Sequence, residues 1–337
     1  MPQGLVDRYA GVVCDLDGVV YRGHEAVQHA VCALESLPVP VVYATNNASR
    51  PPAEVAAHLA RLGLGAAAAD VVTSSQAGAS HLSAILPPGS PVLAVGGPGV
   101  RDALQHSGLH PVLPSDSRRG GGAVAAVLQG YGADVTASDL AEAAYAVSAG
   151  VPWVATNTDA TLPTERGTAP GNGTLVAAVQ RATGVEPVVV GKPQAPLYGL
   201  CADRLGSDVG RLLAVGDRLD TDIAGAVTAR MDSVLVLTGV DSVTSLAGAG
   251  QQLRPTFVVE DLRALTEPYV GPVTDQTWWC CGSDRRRLVD GRWEVAREGT
   301  PLEAARAALA AVHEALDQGE LEPGGARALV SDLDRWQ

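Results

Sequence analysis

The stretch Gly11-Val12-Val13-Cys14-Asp15-Leu16-Asp17-Gly18-Val19 decides how this chain is read. Its first four residues include two β-branched side chains and no proline, and they predict a buried strand. That strand runs into two carboxylates one residue apart, then a glycine. Where a parallel strand ends, side chains project into the crevice in which α/β proteins place ligands. Two acids held there repel each other unless a cation neutralises them, and a hard divalent ion such as magnesium suits them. An ordinary acidic turn after a strand accounts for the same residues, so the rest of the chain must decide.

Composition narrows the choices. A chain of 337 residues predicts two domains with an appendage. It is 46% hydrophobic and 18% charged, enough apolar material for a sizeable core. Only 4% is aromatic, so packing must rest on Ala, Val and Leu. The net charge of −13 argues against nucleic acid or an anionic membrane surface as partner. An anionic substrate would therefore need a local positive site. No apolar run reaches membrane-spanning length, and residues 1–6 lack a signal-peptide pattern. Five cysteines without CxxC spacing suit a reducing cytoplasm.

Further along, the same plan recurs. A helical pattern through residues 27–37 precedes the apolar strand Val41-Val42-Tyr43-Ala44, which ends at Thr45-Asn46-Asn47. Pro51-Pro52 then opens a helix through Leu62. This βαβα opening implies a parallel sheet. Strands at residues 91–95, 123–128 and 151–155, with helices at 98–106 and 138–149, make a second α/β unit. A polar loop at residues 156–173 and a helix at 174–182 follow. Strands at residues 187–190 and 211–215 lead into Gly191-Lys192-Pro193 and Gly216-Asp217-Arg218-Leu219-Asp220-Thr221-Asp222. A helix to Arg230 and strands at 233–237 and 255–259 complete the core.

Four strand ends thus carry Asp15 and Asp17, Thr45 and Asn46, Lys192, and Asp217 with Asp222. Such a set suits phosphoryl transfer, where positioning and charge neutralisation do most of the work. Lys192 is the only lysine among 24 basic residues. Its compact ammonium can approach a phosphate oxygen and a carboxylate together, as a broad guanidinium cannot.

These four segments resemble the ordered motifs of the haloacid dehalogenase superfamily. Thr45 and Lys192 lie 147 positions apart, similar to the branch with a large α/β cap inserted between the second and third motifs. The loop Asn157-Thr158-Asp159 through Pro163-Thr164-Glu165-Arg166-Gly167 also resembles that branch. The resemblance covers residues 8–265. It implies an α/β fold: a Rossmann-like parallel-sheet core of residues 1–76 and 187–266, an inserted α/β cap of residues 77–186, and a small α+β appendage at 267–337.

The resemblance also implies roles. Asp15 would be the nucleophile that becomes an aspartyl phosphate, and Asp17 the acid and base. Asp15, the main-chain carbonyl of Asp17, and Asp217 would hold Mg2+, with Asp222 orienting Lys192 or a metal-bound water. Thr45, the Asn46 N–H and Lys192 would bind phosphoryl oxygens. The branch acts on small phosphorylated metabolites. Arg- and Ala-heavy composition and the tail lean toward its glycerol 3-phosphate members, with pyridoxal phosphate and phosphoglycolate as alternatives. Asn157, Asp159 and Arg166 are the candidate specificity residues, on a loop without an aromatic ring to stack on a pyridine. A phosphate-binding regulatory protein on the same fold, or a phosphotransferase, remains the competing class.

Other features read as structural. Gly96-Gly97-Pro98-Gly99 lacks P-loop spacing and predicts a tight turn. The seven histidines show no zinc spacing, and Arg285-Arg286-Arg287 predicts a solvated hairpin face. In the tail, which holds Trp278, Trp279, Trp293 and Trp336, Asp290-Gly291 signals a hairpin and Thr300-Pro301 the start of a helix to Leu316. That helix has an apolar stripe at 3–4 spacing that must dock on the catalytic domain or on a second copy, which leaves a homodimer open.

Overall fold

The structure, a computed structural model, describes residues 3–164 and 166–335. Glu165 of the cap loop and Trp336 of the tail lie outside the described residues. The chain divides into two compact units, one of Met1–Val41 with Ser207–Gln337, the other of Val42–Gly206.

The first unit is a mixed α/β body. Four parallel strands stand in the order Phe257–Val259, Asp232–Val236, Leu212–Gly216, Gly11–Cys14. All four residues of Gly11–Cys14 are buried, as are all five of Leu212–Gly216. Strands covered on both faces read as continuous apolar runs, which is how these two look in sequence. Gly11 lies opposite Leu212 and Cys14 opposite Val215. Because the strands run parallel and in register, Asp15 and Asp217 leave the sheet at the same edge.

The tail belongs to this unit. It is larger than the expected hairpin and helix: four antiparallel strands, Val273–Asp275, Trp278–Cys281, Asp284–Val289 and Arg292–Arg297, followed by helices Pro301–Asp317 and Pro323–Val330. Asp290 and Gly291 both have positive φ, 50° and 71°, as the predicted two-residue hairpin turn requires. The Thr300 hydroxyl accepts from the Glu303 N–H at 3.3 Å and Glu303 accepts from the Thr300 N–H at 2.9 Å, a reciprocal cap that fixes the helix start.

The apolar stripe of that helix docks on its own chain. Ala305, Leu309 and Val312, with Leu302 and Leu316 beside them, pack with Leu219, Ile223, Leu235, Val243, Leu246 and Val258 of the core. Each such fully buried aliphatic side chain contributes about 1.5–3 kcal/mol. The stripe therefore gives no argument for a second copy. Arg286 also departs from the solvated reading: it is 5% exposed and forks onto buried Asp284 at 2.6 and 2.7 Å. Strand alternation explains this, since Arg285 and Arg287 flank it on the other face, each over the Trp278 ring.

The second unit contains two parallel arrays. Val41–Thr45 pairs with Val71–Thr73. Five parallel strands stand in the order Val188–Val189, Trp153–Ala155, Ala126–Gln129, Pro91–Val95, His110–Val112. Helices Ala137–Ser148 and Asn172–Thr183 cover one face through Ala143, Val147, Val176 and Val179. A short antiparallel hairpin, Thr161–Thr164 with Gly167–Pro170, projects from the loop that follows Trp153–Ala155.

Several expected elements changed extent. The helix expected over residues 27–37 is confined to Ala30–Glu35, because residues 21–26 form a small hairpin that positions its start. Strands Val71–Thr73 and His110–Val112, and helices Ser74–Ser83 and Ala195–Leu205, were not foreseen. Among the described residues, no helix is long and apolar enough to cross a membrane, and all five cysteines are free thiols.

Candidate active site

In the first unit, carboxylate oxygens of Asp15, Asp217 and Asp222 all lie within 4.8 Å of one another. Asp15 and Asp217 follow adjacent parallel strands, and the Asp15 N–H donates to the Val215 carbonyl at 2.8 Å, which keeps Asp15 in line with the sheet. Asp222 reaches the cluster from a single π-turn, Leu219–Ile223, a wide helical turn frequent at functional sites. Its carboxylate accepts from the Arg218 N–H at 3.2 Å.

Asp217 is fully buried and tightly held. Its Oδ2 accepts from the Val240 N–H at 2.7 Å. A Cβ added at Gly18 or Gly239 would overlap this carboxylate, and one at Gly216 would overlap Asp222. The backbone thus packs closely against Asp217 and Asp222. Three clustered carboxylates, oxygen donors only and fixed in place, fit a hard divalent cation and would repel without one.

Asp17 stands on the turn that follows. The Leu16 carbonyl accepts from the N–H groups of Val20 and Tyr21 at 2.9 and 3.2 Å, and Gly18 at φ 86° makes the bend. Asp17 is solvent-exposed, unlike the three clustered acids. Asp220 is not in the cluster; its carboxylate is gripped by Arg218 at 2.9 and 3.1 Å.

The second unit gathers Thr45, Asn46, Lys192, Asn157 and Asp159. Thr45 and Lys192 are 3% and 4% exposed. The Thr45 Oγ1 accepts from the Asn47 N–H at 3.0 Å, which curls the chain as it leaves its strand. The Asn46 amide meets the Lys192 backbone twice, accepting from its N–H at 2.8 Å and donating to its carbonyl at 3.0 Å. Burial pushes the Cys201 thiol up to about 12 while the Lys192 ammonium pulls the other way, so this thiol stays protonated.

The candidate specificity residues divide. Asn157 is buried and donates to the Asn46 carbonyl at 2.7 Å, and Asp159 accepts from the Asn46 amide at 3.3 and 3.4 Å. Arg166 is exposed at the hairpin tip. Sequence reasoning missed Ser74, whose hydroxyl donates to the Asn46 carbonyl at 2.8 Å, and Ser75, which does the same for Ala48. Thr73-Ser74-Ser75-Gln76 carries a capping-box signal that could have found this helix start.

Comparison with known proteins identifies the family. Residues 12–110 match the family model for haloacid dehalogenase-like hydrolases, and residues 189–265 match the related HAD-hydrolase-like model. The chain is 46% identical over 263 residues to the D-glycerol 3-phosphate phosphatase of Mycobacterium tuberculosis, spanning 78% of this chain and 72% of that protein. It is 35% identical to a 5′-nucleotidase of Bacillus subtilis, over 78% of this chain and 99% of that one. Among solved structures, glycerol phosphate phosphatase from M. tuberculosis in complex with magnesium superposes with a TM-score of 0.82 at 40% identity, covering 93% of this chain and 92% of that one. That coverage leaves too few residues outside to omit the tail. A p-nitrophenyl phosphatase from Archaeoglobus fulgidus, with a TM-score of 0.69 at 27% identity, covers 77% of this chain and 98% of its own. The four motif segments, the parallel sheet that carries the clustered acids, and these likenesses lead to one conclusion: the chain belongs to the haloacid dehalogenase-like hydrolase family.

Proposed function

We propose that this protein is a magnesium-dependent phosphomonoesterase that hydrolyses glycerol 3-phosphate in the cytoplasm through an aspartyl phosphate on Asp15. The convergence of Asp15, Asp217 and Asp222 within 4.8 Å carries the reading. Relatives named as phosphatases support it, among them the glycerol 3-phosphate phosphatase of M. tuberculosis.

In this reading a carboxylate oxygen of Asp15 attacks phosphorus as the bond to the glycerol oxygen breaks. Asp17 gives its proton to the leaving alkoxide, a step worth about 10²–10⁴-fold. Asp17 then takes a proton from water, which attacks phosphorus, releases phosphate and restores the Asp15 carboxylate. The exposed position of Asp17 suits a group that must exchange protons. Asp15, the Asp17 carbonyl and Asp217 would hold Mg2+, with Asp222 orienting the set. Bound there, the ion neutralises the charge that otherwise keeps a carboxylate nucleophile from a phosphate. Thr45, the Asn46 N–H and Lys192 bind the phosphoryl oxygens. We assign residues 77–186 to a cap that selects substrate and residues 1–76 with 187–266 to the catalytic core.

The test is phosphate release from glycerol 3-phosphate, pyridoxal phosphate, phosphoglycolate and a nucleoside 5′-monophosphate, each with Mg2+ and with excess EDTA. The expected result is the highest kcat/KM on glycerol 3-phosphate and no release in EDTA. A higher kcat/KM on another ester would move the substrate. Phosphate binding without turnover would replace the enzyme with a regulatory protein.

A further inference from the structure

We infer that Asn46 is a positioning residue whose side-chain amide fixes the backbone of Lys192, with Asp159 facing that amide and Asn157 holding the Asn46 backbone. The inference rests on the phosphoryl role proposed for Lys192 and adds to it. In the motif reading, Asn46 contributed a backbone N–H; its side chain had no assignment.

The need for such a device follows from the strand. Val188–Val189 is only two residues long and lies at the edge of its sheet, paired with Trp153–Ala155 alone. The Val190 N–H still reaches the Ala155 carbonyl at 3.2 Å, and there the ladder stops. Lys192 lies two residues beyond, with a four-carbon stem of high rotamer freedom. The placement of an ammonium on such a stem depends on the backbone beneath it.

Asn46 supplies what the sheet does not. A primary amide carries a donor and an acceptor in one plane, like a peptide group, and here both engage Lys192, at 2.8 Å to its N–H and 3.0 Å to its carbonyl. The two residues are 146 positions apart. The close approach needs Gly191, since a Cβ there would stand 2.6 Å from Asn46 Oδ1. Asn46 is itself anchored. Its carbonyl accepts from Asn157 Nδ2 at 2.7 Å and from Ser74 Oγ at 2.8 Å, and its Nδ2 also faces the Asp159 carboxylate at 3.3 Å. Asn157 is fixed in turn by Asn172, which donates to its carbonyl at 2.7 Å.

The lone lysine makes the proposal testable without turnover. Protein made with 13C-labelled lysine gives a single lysine side-chain signal, from Lys192. Inorganic phosphate is added with Mg2+ to wild type, Asn46→Asp, Asp159→Asn and the double variant. In wild type, phosphate should shift the signal saturably; no shift at all would sink the phosphoryl role itself. Asn46→Asp keeps the acceptor for the Lys192 N–H but turns an anion toward Asp159 and the Lys192 carbonyl. It should move the unliganded signal and weaken phosphate binding about 10-fold or more, since small misplacements are costly. Adding Asp159→Asn restores a donor facing position 46 and should recover part of both effects. A wild-type response in Asn46→Asp, or no recovery in the double variant, overturns the clamp. Should Asn46→Asp not fold, Asn46→Ser takes its place, with the same losses expected and a wild-type response again overturning the clamp.

Discussion

Arg306 donates to the Val258 carbonyl through Nε at 2.9 Å and Nη2 at 2.7 Å, and to the Val270 carbonyl through Nη1 at 3.1 Å. Its guanidinium lies 4.2 Å from the centre of the Tyr269 ring. One side chain of helix Pro301–Asp317 therefore covers a backbone carbonyl of the edge strand Phe257–Val259 and braces the segment leading into the tail.

Arg306→Ala should lower the unfolding free energy by about 3 kcal/mol or more, because buried carbonyls lose charge-assisted partners. Arg306→Lys should recover little, since an ammonium cannot fork onto two carbonyls. Urea denaturation of the two variants checks this. A Lys variant as stable as wild type would show that charge alone suffices.

His313 sets an acid limit. Burial pushes its imidazole down to about 4 from the ordinary 6.5, and a ring nitrogen contacts the Leu246 carbonyl at 2.9 Å. The folded state binds the neutral ring, so between pH 6.5 and about 4 the unfolded chain holds more protons and stability falls as pH falls. The loss at the low end is up to about 3 kcal/mol. Denaturation at pH 7 and 5 should show a gap that His313→Gln reduces.

Asp15→Asn should cut phosphate release about 10⁴-fold or more while leaving the far-ultraviolet circular dichroism unchanged, because the isosteric change removes the oxygen proposed to attack phosphorus. Near-wild-type turnover would mean that another group attacks phosphorus.

Asp17→Asn should harm glycerol 3-phosphate far more than p-nitrophenyl phosphate in single-turnover measurements of the phosphorylation step. A nitrophenolate leaves without a proton; an alkoxide does not. Equal losses on both would point to a disturbed metal site.

Gly239→Ala should raise the Mg2+ concentration needed for half-maximal activity about 10–100-fold, as loss of an orienting contact does at metal sites. The added methyl overlaps the Asp217 carboxylate, whereas Gly250 has open space around its Cα and serves as the matched control. Equal metal requirements in Gly239→Ala and Gly250→Ala would show that the loop yields.

The strand ends were legible because buried parallel strands leave continuous apolar runs, and a polar residue after such a run stands out. Asp15, Thr45, Lys192 and Asp217 were singled out as candidates that way. Val71–Thr73 and His110–Val112, three residues each, are too short to show a period. Arg286 was misread because its face depends on pairing with Trp279 and Val295, which no local pattern specifies. The Asn46 amide was invisible for a related reason: its partners lie 113 to 146 positions away, and the two on Lys192 are backbone groups that every residue carries.

The first unit is built from both ends of the chain, while the second is one uninterrupted span, Val42–Gly206. On the ribosome the second can fold while residues 207–337 are still being made. Gly11–Cys14 meanwhile has no Leu212–Gly216 to pair with. At about 5–20 residues per second that wait is roughly 10–40 s. Through all of it Asp15 has neither Asp217 nor Asp222 beside it, so the nascent chain holds a lone carboxylate where the finished protein has its cluster.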